Sequence, residues 1–483
     1  LVYTLAGIWF LRKILLRYFS DAVAALTMVV VVAGTNYFEL TAFDGAMPHN
    51  YLFTLYALIL WLTIRWHEQP ALWKALLTGL LAGLAILVRP TAGLILLVPL
   101  LWNAGTATML RQKLALLRKH QAHILGLGLV VALVVSLQLI YWKMHTGSWV
   151  YYSYEKNEQL EWIAPYLWKV LFSFKKGWLI YAPVMVFALA GFIALAARFR
   201  MVFPAVLVFF TAHLLVVASW PTWWYGGSLG QRAMMESYLI LALPLGALFQ
   251  WILARKWPVK ASVFLLLALF IVLNLFQTWQ YIHFIIHPSR MTEKYYWSVF
   301  GKTAASDQDR MYLEPTDDPG AAETLPPEQL FNARPLVSLG FETPDSSTPG
   351  NYAKDTASTG NYALRLSKSL EFSPGLGIPF AELNAAPFSW IRATGKVFFT
   401  CKPEEAKASL VITCMHNGEA VKYRAVQIEN KGFSPGVWNP VALDYQLPWL
   451  GDKEDLVQVY CWYRGSGFIL IDDLEITLFE PKK

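Results

Sequence analysis

The sequence predicts a polytopic α-helical membrane bundle followed by an all-β sandwich domain. Three observations predict it. The chain of 483 residues is 56% hydrophobic and only 15% charged, with mean hydropathy +0.40, where a soluble chain carries about 25% charged residues. The long apolar runs are confined to residues 1–285. From 335 onward the pattern changes to short runs punctuated by turn residues.

Apolar runs recur at 22–38, 49–64, 75–88, 91–103, 122–141, 178–197, 201–219, 237–253 and 261–281. Each is long enough, or nearly so, for a spanning helix, the form in which lipid-buried backbone satisfies itself. The runs at 75–88 and 91–103 meet at Arg89-Pro90, and proline disfavours helix at the residue before it, so two short helices are expected there. The opening run Leu1–Leu11 is too short to span, and the chain starts without Met or a signal peptide, so part of the protein is expected upstream.

Alternate loops carry Arg12, Lys13, Arg17, Arg65, Lys74, Arg111, Lys113, Arg118, Lys119, Arg198, Arg200, Arg255, Lys256 and Lys260. The positive-inside rule places that set in the cytoplasm. The opposite loops hold Glu39, Asp44, Glu155, Glu158, Glu161 and Glu236. The last helix then delivers residues 285–483 to the extracytoplasmic side of a bacterial inner membrane. The net charge of +7 is dispersed between apolar runs, not clustered, which excludes a nucleic-acid partner. The long outer loop 142–177 is rich in aromatics, among them Trp149, Tyr152, Trp162 and Trp168, and 159–174 has helical apolar spacing. It suits an interfacial belt in contact with membrane lipids or a platform for a lipid or sugar.

Residues 286–334, rich in Pro, Asp and Glu over 303–333, read as a linker. Strands are expected at 336–341, 362–366, 390–400, 409–415, 422–428, 437–444, 456–463 and 468–479, separated by Pro-Gly at 349–350, 374–375 and 435–436 and by Asn417-Gly418. That spacing indicates a sandwich over 335–483. Gly340-Phe341-Glu342, Tyr362-Ala363-Leu364-Arg365-Leu366 and Ile471-Asp472-Asp473-Leu474 resemble carbohydrate-binding-module jelly rolls. Cys401, Cys414 and Cys461 have no CxxC spacing, which argues against a metal site; one disulfide and three buried thiols both stay open.

Several motifs do not carry chemistry. Gly226-Gly227-Ser228-Leu229-Gly230 matches a nucleophile elbow but lies between membrane helices rather than on a strand–turn–helix. Gly301-Lys302-Thr303 lacks the earlier P-loop glycine, since Tyr296 stands there. His283 and His287 read as interfacial histidines rather than a metal pair.

Three outer segments concentrate polar groups. In the first, 34–51, Glu39 and Asp44 stand between two helices with His49 just beyond; a carboxylate there could act as general base or hold a divalent cation. The second is Arg89-Pro90, whose guanidinium fork suits a phosphate. The third pairs 173–183 with 220–232 and sets Lys175, Lys176 and Arg232 beside Tyr181, Trp223, Trp224 and Tyr225. Cations beside aromatics suit a phosphate-bearing lipid whose sugar stacks on a ring.

At these residues the chain resembles the GT-C superfamily of polytopic glycosyltransferases that use polyprenyl-phosphate sugars, and most of all bacterial relatives of its protein-mannosyltransferase branch. The resemblance rests on the Asp44/His49 loop, Arg89-Pro90, Lys176-Gly177 with Tyr181-Ala182-Pro183, and Trp223-Trp224-Tyr225-Gly226-Gly227 with Arg232. It implies Asp44, Glu39 and His49 as catalytic candidates. It implies Arg89, Lys175, Lys176, Tyr181, Trp223, Trp224, Tyr225 and Arg232 as substrate-binding residues. It also implies a principal catalytic Asp in a first outer loop upstream of Leu1. Its partners would be a polyprenyl-phosphate-linked sugar and an extracytoplasmic acceptor, whether glycan, lipid or protein. Transfer would proceed with inversion; a divalent cation stays open, and no other cofactor is implied. The absence of a cytoplasmic DxD motif fits a lipid-linked donor. The alternatives are a transporter or flippase of lipid-linked saccharides, for which an internal repeat would be expected, and a non-catalytic scaffold displaying the β-domain.

Overall fold

The computed structural model describes residues 2–154, 159–316, 322–343, 349–400, 402–448 and 455–482. Leu1, Glu155, Glu158, Cys401 and Lys483 lie outside the described residues. The chain divides into two compact units, Leu1–Glu293 and Lys294–Lys483.

The first unit is helical. Its elements are α1 (Val2–Leu15), α2 (Asp21–Ala33), α3 (Tyr37–Ala42), α4 (Pro48–Glu68) and α5 (Leu72–Val88). A 3₁₀ turn over Pro90–Leu96 leads into α6 (Leu97–Leu101), then α7 (Ala107–Lys119), α8 (Gln121–Thr146), α9 (Leu167–Phe172) and α10 (Trp178–Tyr181). There follow α11 (Met185–Arg198), α12 (Phe203–Ala218), a 3₁₀ turn over Arg232–Ser237, α13 (Tyr238–Leu253) and α14 (Trp257–Ile282).

Local chemistry sets the ends. Thr106 caps α7 by accepting from the Met109 N–H, and Pro48 sits in the first turn of α4, where its missing N–H costs nothing. Arg89 is extended, as a residue before proline should be, and this separates α5 from the following turn. The run expected as one helix over 178–197 is broken at Ala182-Pro183 into α10 and α11.

Among the described residues three helical segments are long and apolar enough to cross a membrane: Gln121–Thr146, Arg232–Leu253 and Trp257–Ile282. Five more apolar helices are shorter, so the nine expected spans are not all full-length helices; proline and turn breaks cut them. Two of the long helices keep apolar faces bare, with Leu125 and Leu129 of α8 and Leu265 and Val272 of α14 all exposed. Such rows fit lipid contact. The third, α13, is buried along most of its length.

Small residues let helices approach. A Cβ on Gly79 would lie 2.6 Å from the Leu127 carbonyl oxygen and one on Gly83 2.7 Å from Val134 Cβ, so α5 packs on α8 through glycine. Gly191 does the same for α11 on α13, where a Cβ would meet the Pro244 carbonyl oxygen at 2.1 Å. Trp102, Trp178, Tyr56 and Tyr238 fill the interior.

The second unit is a sandwich of two antiparallel sheets. Its strands are β1 (Phe331–Leu339), β2 (Tyr352–Lys354), β3 (Tyr362–Ser367), β4 (Leu376–Pro379), β5 (Trp390–Phe399), β6 (Ala408–His416), β7 (Glu419–Gln427), β8 (Trp438–Gln446), β9 (Leu456–Tyr463) and β10 (Phe468–Pro481). One sheet runs β2-β3-β10-β5-β8 with β1 also on β10; the other runs β4-β9-β6-β7. Strict alternation of buried and part-exposed residues along β9 shows why its sequence reads as a strand. β2 and β4 are too short to have left such a pattern.

The expected linker over 286–334 is not bare connection. It holds α15 (Glu293–Val299) and α16 (Asp307–Arg310), and Met311, Leu325 and Phe331 pack with Trp390 and Phe479. Glu323 pairs with Lys422 at 2.7 Å, buried. The physical reason is that scattered apolar residues among prolines still find the sandwich edge. Lys302, just before α16, pairs with Asp309, which closes a capping box with Ser306 at the start of that helix. Cys414 and Cys461 are free buried thiols, so no disulfide joins these two, and burial raises them to about 11 and about 12.

Candidate site of guanidinium and carboxylate groups

The polar residues gather at the end of the helical unit away from its Arg- and Lys-rich loops. Four segments meet there: the stretch from α2 through α3 to α4, the α5 break, the loop before α10, and the loop from α12 to α13. Asn36 ties the first to the last. Its side-chain amide donates to the Leu229 carbonyl oxygen at 3.0 Å and its Oδ1 accepts from Tyr238 Oη at 2.7 Å.

Two charged groupings result. The deeper one centres on Glu236, in the 3₁₀ turn before α13 and 1% exposed. Its Oε1 lies 3.0 Å from His49 Nδ1 on α4 and 3.6 Å from Arg89 Nη1 at the α5 break. His213 of α12 comes within 3.9 Å of Oε2 but its Nε2 also meets the Ala233 carbonyl oxygen at 2.8 Å. Arg89 also lies over the Tyr225 ring, 5.0 Å from its centroid. Tyr56, Thr91 and Tyr225 line a small cavity with these groups.

The second grouping holds Glu39, Asp44, Lys176 and Arg232. Glu39 is fully buried on α3, while Asp44 is half-buried and accepts from Tyr281 Oη of α14 at 3.4 Å. Burial pushes the Glu39 carboxyl up to about 9, helped by a hydrogen bond and like charge from Asp44 and opposed by Lys176. Burial likewise pulls the Lys176 ammonium down to about 7, against the attraction of Glu39. Lys176 donates to the Ser228 carbonyl oxygen and approaches Ser228 Oγ at 3.4 Å. Ser228 is therefore a structural acceptor, and its own hydroxyl donates to the Gly230 carbonyl oxygen.

Arg232 is half-buried. Its Nη1 donates to the Gly227 carbonyl oxygen at 3.2 Å and meets Met47 Sδ at 3.6 Å, and its buried Nε has no hydrogen-bond partner. Among the described residues no carboxylate forms a salt bridge with it. Asp44 and Arg89 are nevertheless close enough to act on its charge.

The remaining sequence candidates fall differently. Lys175 lies over Trp224, 4.4 Å from the ring centroid. Tyr181 and Trp223 are buried, Tyr181 donating to the Phe174 carbonyl oxygen at 2.7 Å, so they support the loops from within. His49 is 3% exposed and turned to Glu236. Among the described residues no group of three His, Cys, Asp or Glu side chains could hold a metal ion, and His283 stacks on Trp279.

No family model matches the sequence, and no curated protein matches it. Solved structures show distant similarity. The CBM22-1 xylan-binding domain of Paenibacillus barcinonensis Xyn10C matches 31% of this chain and 97% of its own, with 16% identity and TM-score 0.22. A family 16 carbohydrate-binding module matches 26% of this chain and 82% of its own, with 15% identity and TM-score 0.19. Arabinosyltransferase EmbB from Mycobacterium smegmatis matches 99% of this chain, with 12% identity and TM-score 0.30; the match spans 57% of that chain.

The sandwich has an aromatic face of its own. Phe372 is 50% exposed and stacks on Trp462, with centroids 5.9 Å apart and planes at 12°, and Tyr460 meets it edge-on. Beside them Gly375 and Gly377, which carry no side chains, and Gln458 line a groove.

Sequence reasoning missed Glu236, His213 and Tyr281 as site members. Glu236 was legible only as one acid among several in the outer loops. Its helix-end position beside Arg232 was the signal that could have singled it out.

Proposed function

We propose that this chain is a membrane glycosyltransferase that moves a sugar from a polyprenyl-phosphate carrier to an acceptor outside the cytoplasm, with inversion. The observation that carries the reading is Arg232: a half-buried guanidinium, unpaired with any described carboxylate, beside Asp44 and within the influence of Arg89. A cation held without a salt bridge at a membrane face is costly unless an anion visits it. In the reaction a carboxylate, Asp44, takes the proton of the acceptor hydroxyl. That oxygen bonds to the anomeric carbon as the bond from carbon to phosphate oxygen breaks. The electron pair leaves with the lipid phosphate, whose growing charge Arg89 and Arg232 stabilise. Lys175 on Trp224 borders the sugar.

The bacterial inner membrane, with the second unit outside the cytoplasm, is part of the same proposal. The Phe372–Trp462 stack favours an auxiliary role for the sandwich in holding a saccharide, since flat rings suit the C–H faces of sugars. The test is transfer from a synthetic polyprenyl-phosphate sugar by the full-length gene product in detergent, where a flippase forms no new glycosidic bond. Asp44→Asn and Arg232→Ala are each expected to cut transfer by at least about tenfold, where full loss of a general base costs roughly 10²–10⁴-fold, with membrane insertion intact. Parental rates in both variants would remove this site.

A further inference from the structure

We propose that Glu236 is a positioning residue for this site: its buried carboxylate, fixed by the His49 imidazole, holds the Arg89 guanidinium in place and so acts on the leaving phosphate through Arg89. The inference rests on the glycosyltransferase reading and adds to it a residue outside the candidate set.

A carboxylate 1% exposed among helices is expensive unless it is paired and hydrogen-bonded. Glu236 is thinly satisfied. Oε1 takes the His49 contact at 3.0 Å and faces Arg89 Nη1 at 3.6 Å. Oε2 accepts no hydrogen bond, because His213 Nε2, at 3.9 Å, is committed to the Ala233 carbonyl oxygen. A Leu or Gln would fill the same volume with less penalty. What the acid supplies is a fixed negative charge beside Arg89.

Arg89 needs such a fixture. It stands at a helix break in extended conformation, so no helix turn restrains it, and its side chain is 26% exposed. Glu236 meets one edge of the guanidinium and Tyr225 lies under its face. A guanidinium has five N–H donors, so one edge can be anchored while others meet a phosphate. Donors that are already oriented when charge develops lower the barrier, whereas donors that must reorganise do not. The expected signature is therefore in kcat more than in donor KM.

The experiment is a double-mutant cycle on sugar transfer by the full-length gene product, with Glu236→Gln and Arg89→Lys. Glu236→Gln is expected to lower kcat at least about tenfold with donor KM nearly unchanged. In the Arg89→Lys background the same substitution is expected to cost almost nothing, because its effect passes through Arg89. His49→Ala removes the anchor; it should lower kcat in the same way and also fall silent with Arg89→Lys. If Glu236→Gln does not fold, the His49–Arg89 cycle decides. Parental kcat in these variants, or losses that multiply in the double variants, would overturn the proposal while leaving the reaction standing. An absence of any transfer by the parental protein would remove the reaction, and this inference with it.

Discussion

Burying Glu39 beside Asp44 gives the folded chain a carboxyl that keeps its proton to about 9, whereas an unfolded Glu titrates near about 4.3. The unfolded state loses its proton first, so this group's contribution is full below pH 4 and is lost as pH rises. Lys176 works the other way: its ammonium is drawn down to about 7, so the folded chain sheds that proton before the unfolded chain does and gains stability above pH 7. Across pH 5 to 7 Glu39 therefore loses stability while His287, drawn down to about 4 by burial, regains it, so the Glu39 share is read as the difference between the parent and a Glu39 variant. In thermal unfolding of the detergent-solubilised protein, Glu39→Gln, a neutral mimic, is expected to gain stability relative to the parent as pH rises across that window. An unchanged slope in Glu39→Gln would mean that Glu39 does not hold its proton. At the same scale Cys414 and Cys461 are expected to resist thiol reagents at pH 8 until the sandwich unfolds, because burial keeps both as thiols.

At the scale of elements, the helix pairs depend on glycine as a place where backbone meets backbone or branched side chain. Gly191→Val would drive a side chain into the Pro244 carbonyl oxygen, and Gly83→Val into Val134. Backbone cannot yield as a flexible side chain can, so the Gly191 variant is expected to suffer more. Overpacking of this kind costs about 1–3 kcal/mol. Gly128→Val on α8, where nothing lies within 4 Å of the added atom, is the control. Melting temperatures of the three variants in one detergent check this; equal losses at Gly128 and Gly191 would show that helix propensity rather than packing is at work. The sandwich obeys a parallel logic at its edge. The segment before β1 contributes Met311, Leu325 and the buried Glu323–Lys422 pair. A fragment of residues 294–483 is therefore expected to melt cooperatively with β-type circular dichroism. One of residues 335–483, without those contacts and the start of β1, should melt lower. Equal melting would mean that the segment is a tether after all.

For the whole molecule, the expected topology follows from the loops: exposed Arg118 on α7 lies on the cytoplasmic side and the chain end outside. A cysteine placed at 118 should label only after permeabilisation, and a C-terminal tag should be reached by protease in spheroplasts. Labelling of 118 in intact cells would reverse the orientation, and with it the side on which Asp44, Arg89 and Arg232 open.

What the sequence determined by itself is the division into an apolar helical part and a β part, most of the strands, and the break at Arg89-Pro90. These are local properties. Apolar run length, residue alternation and proline sterics act within a few residues and are written into the chain directly. Asp44, Arg89, Lys176 and Arg232 stood out for the same reason, as ionisable groups at the edges of apolar runs. Only the tertiary structure decided how they are grouped. The contact between His49 and Glu236 joins residues 187 apart, and no periodicity marks such a pair. The packing of α4, the α5 break and α12 around the turn before α13 set His49 against Glu236. It also made Glu236, one acid among six in the outer loops, the centre of the deeper grouping. Burial, which sets both the protonation of Glu39 and the cost of an unpaired carboxylate, belongs to the assembled helices and to no segment alone.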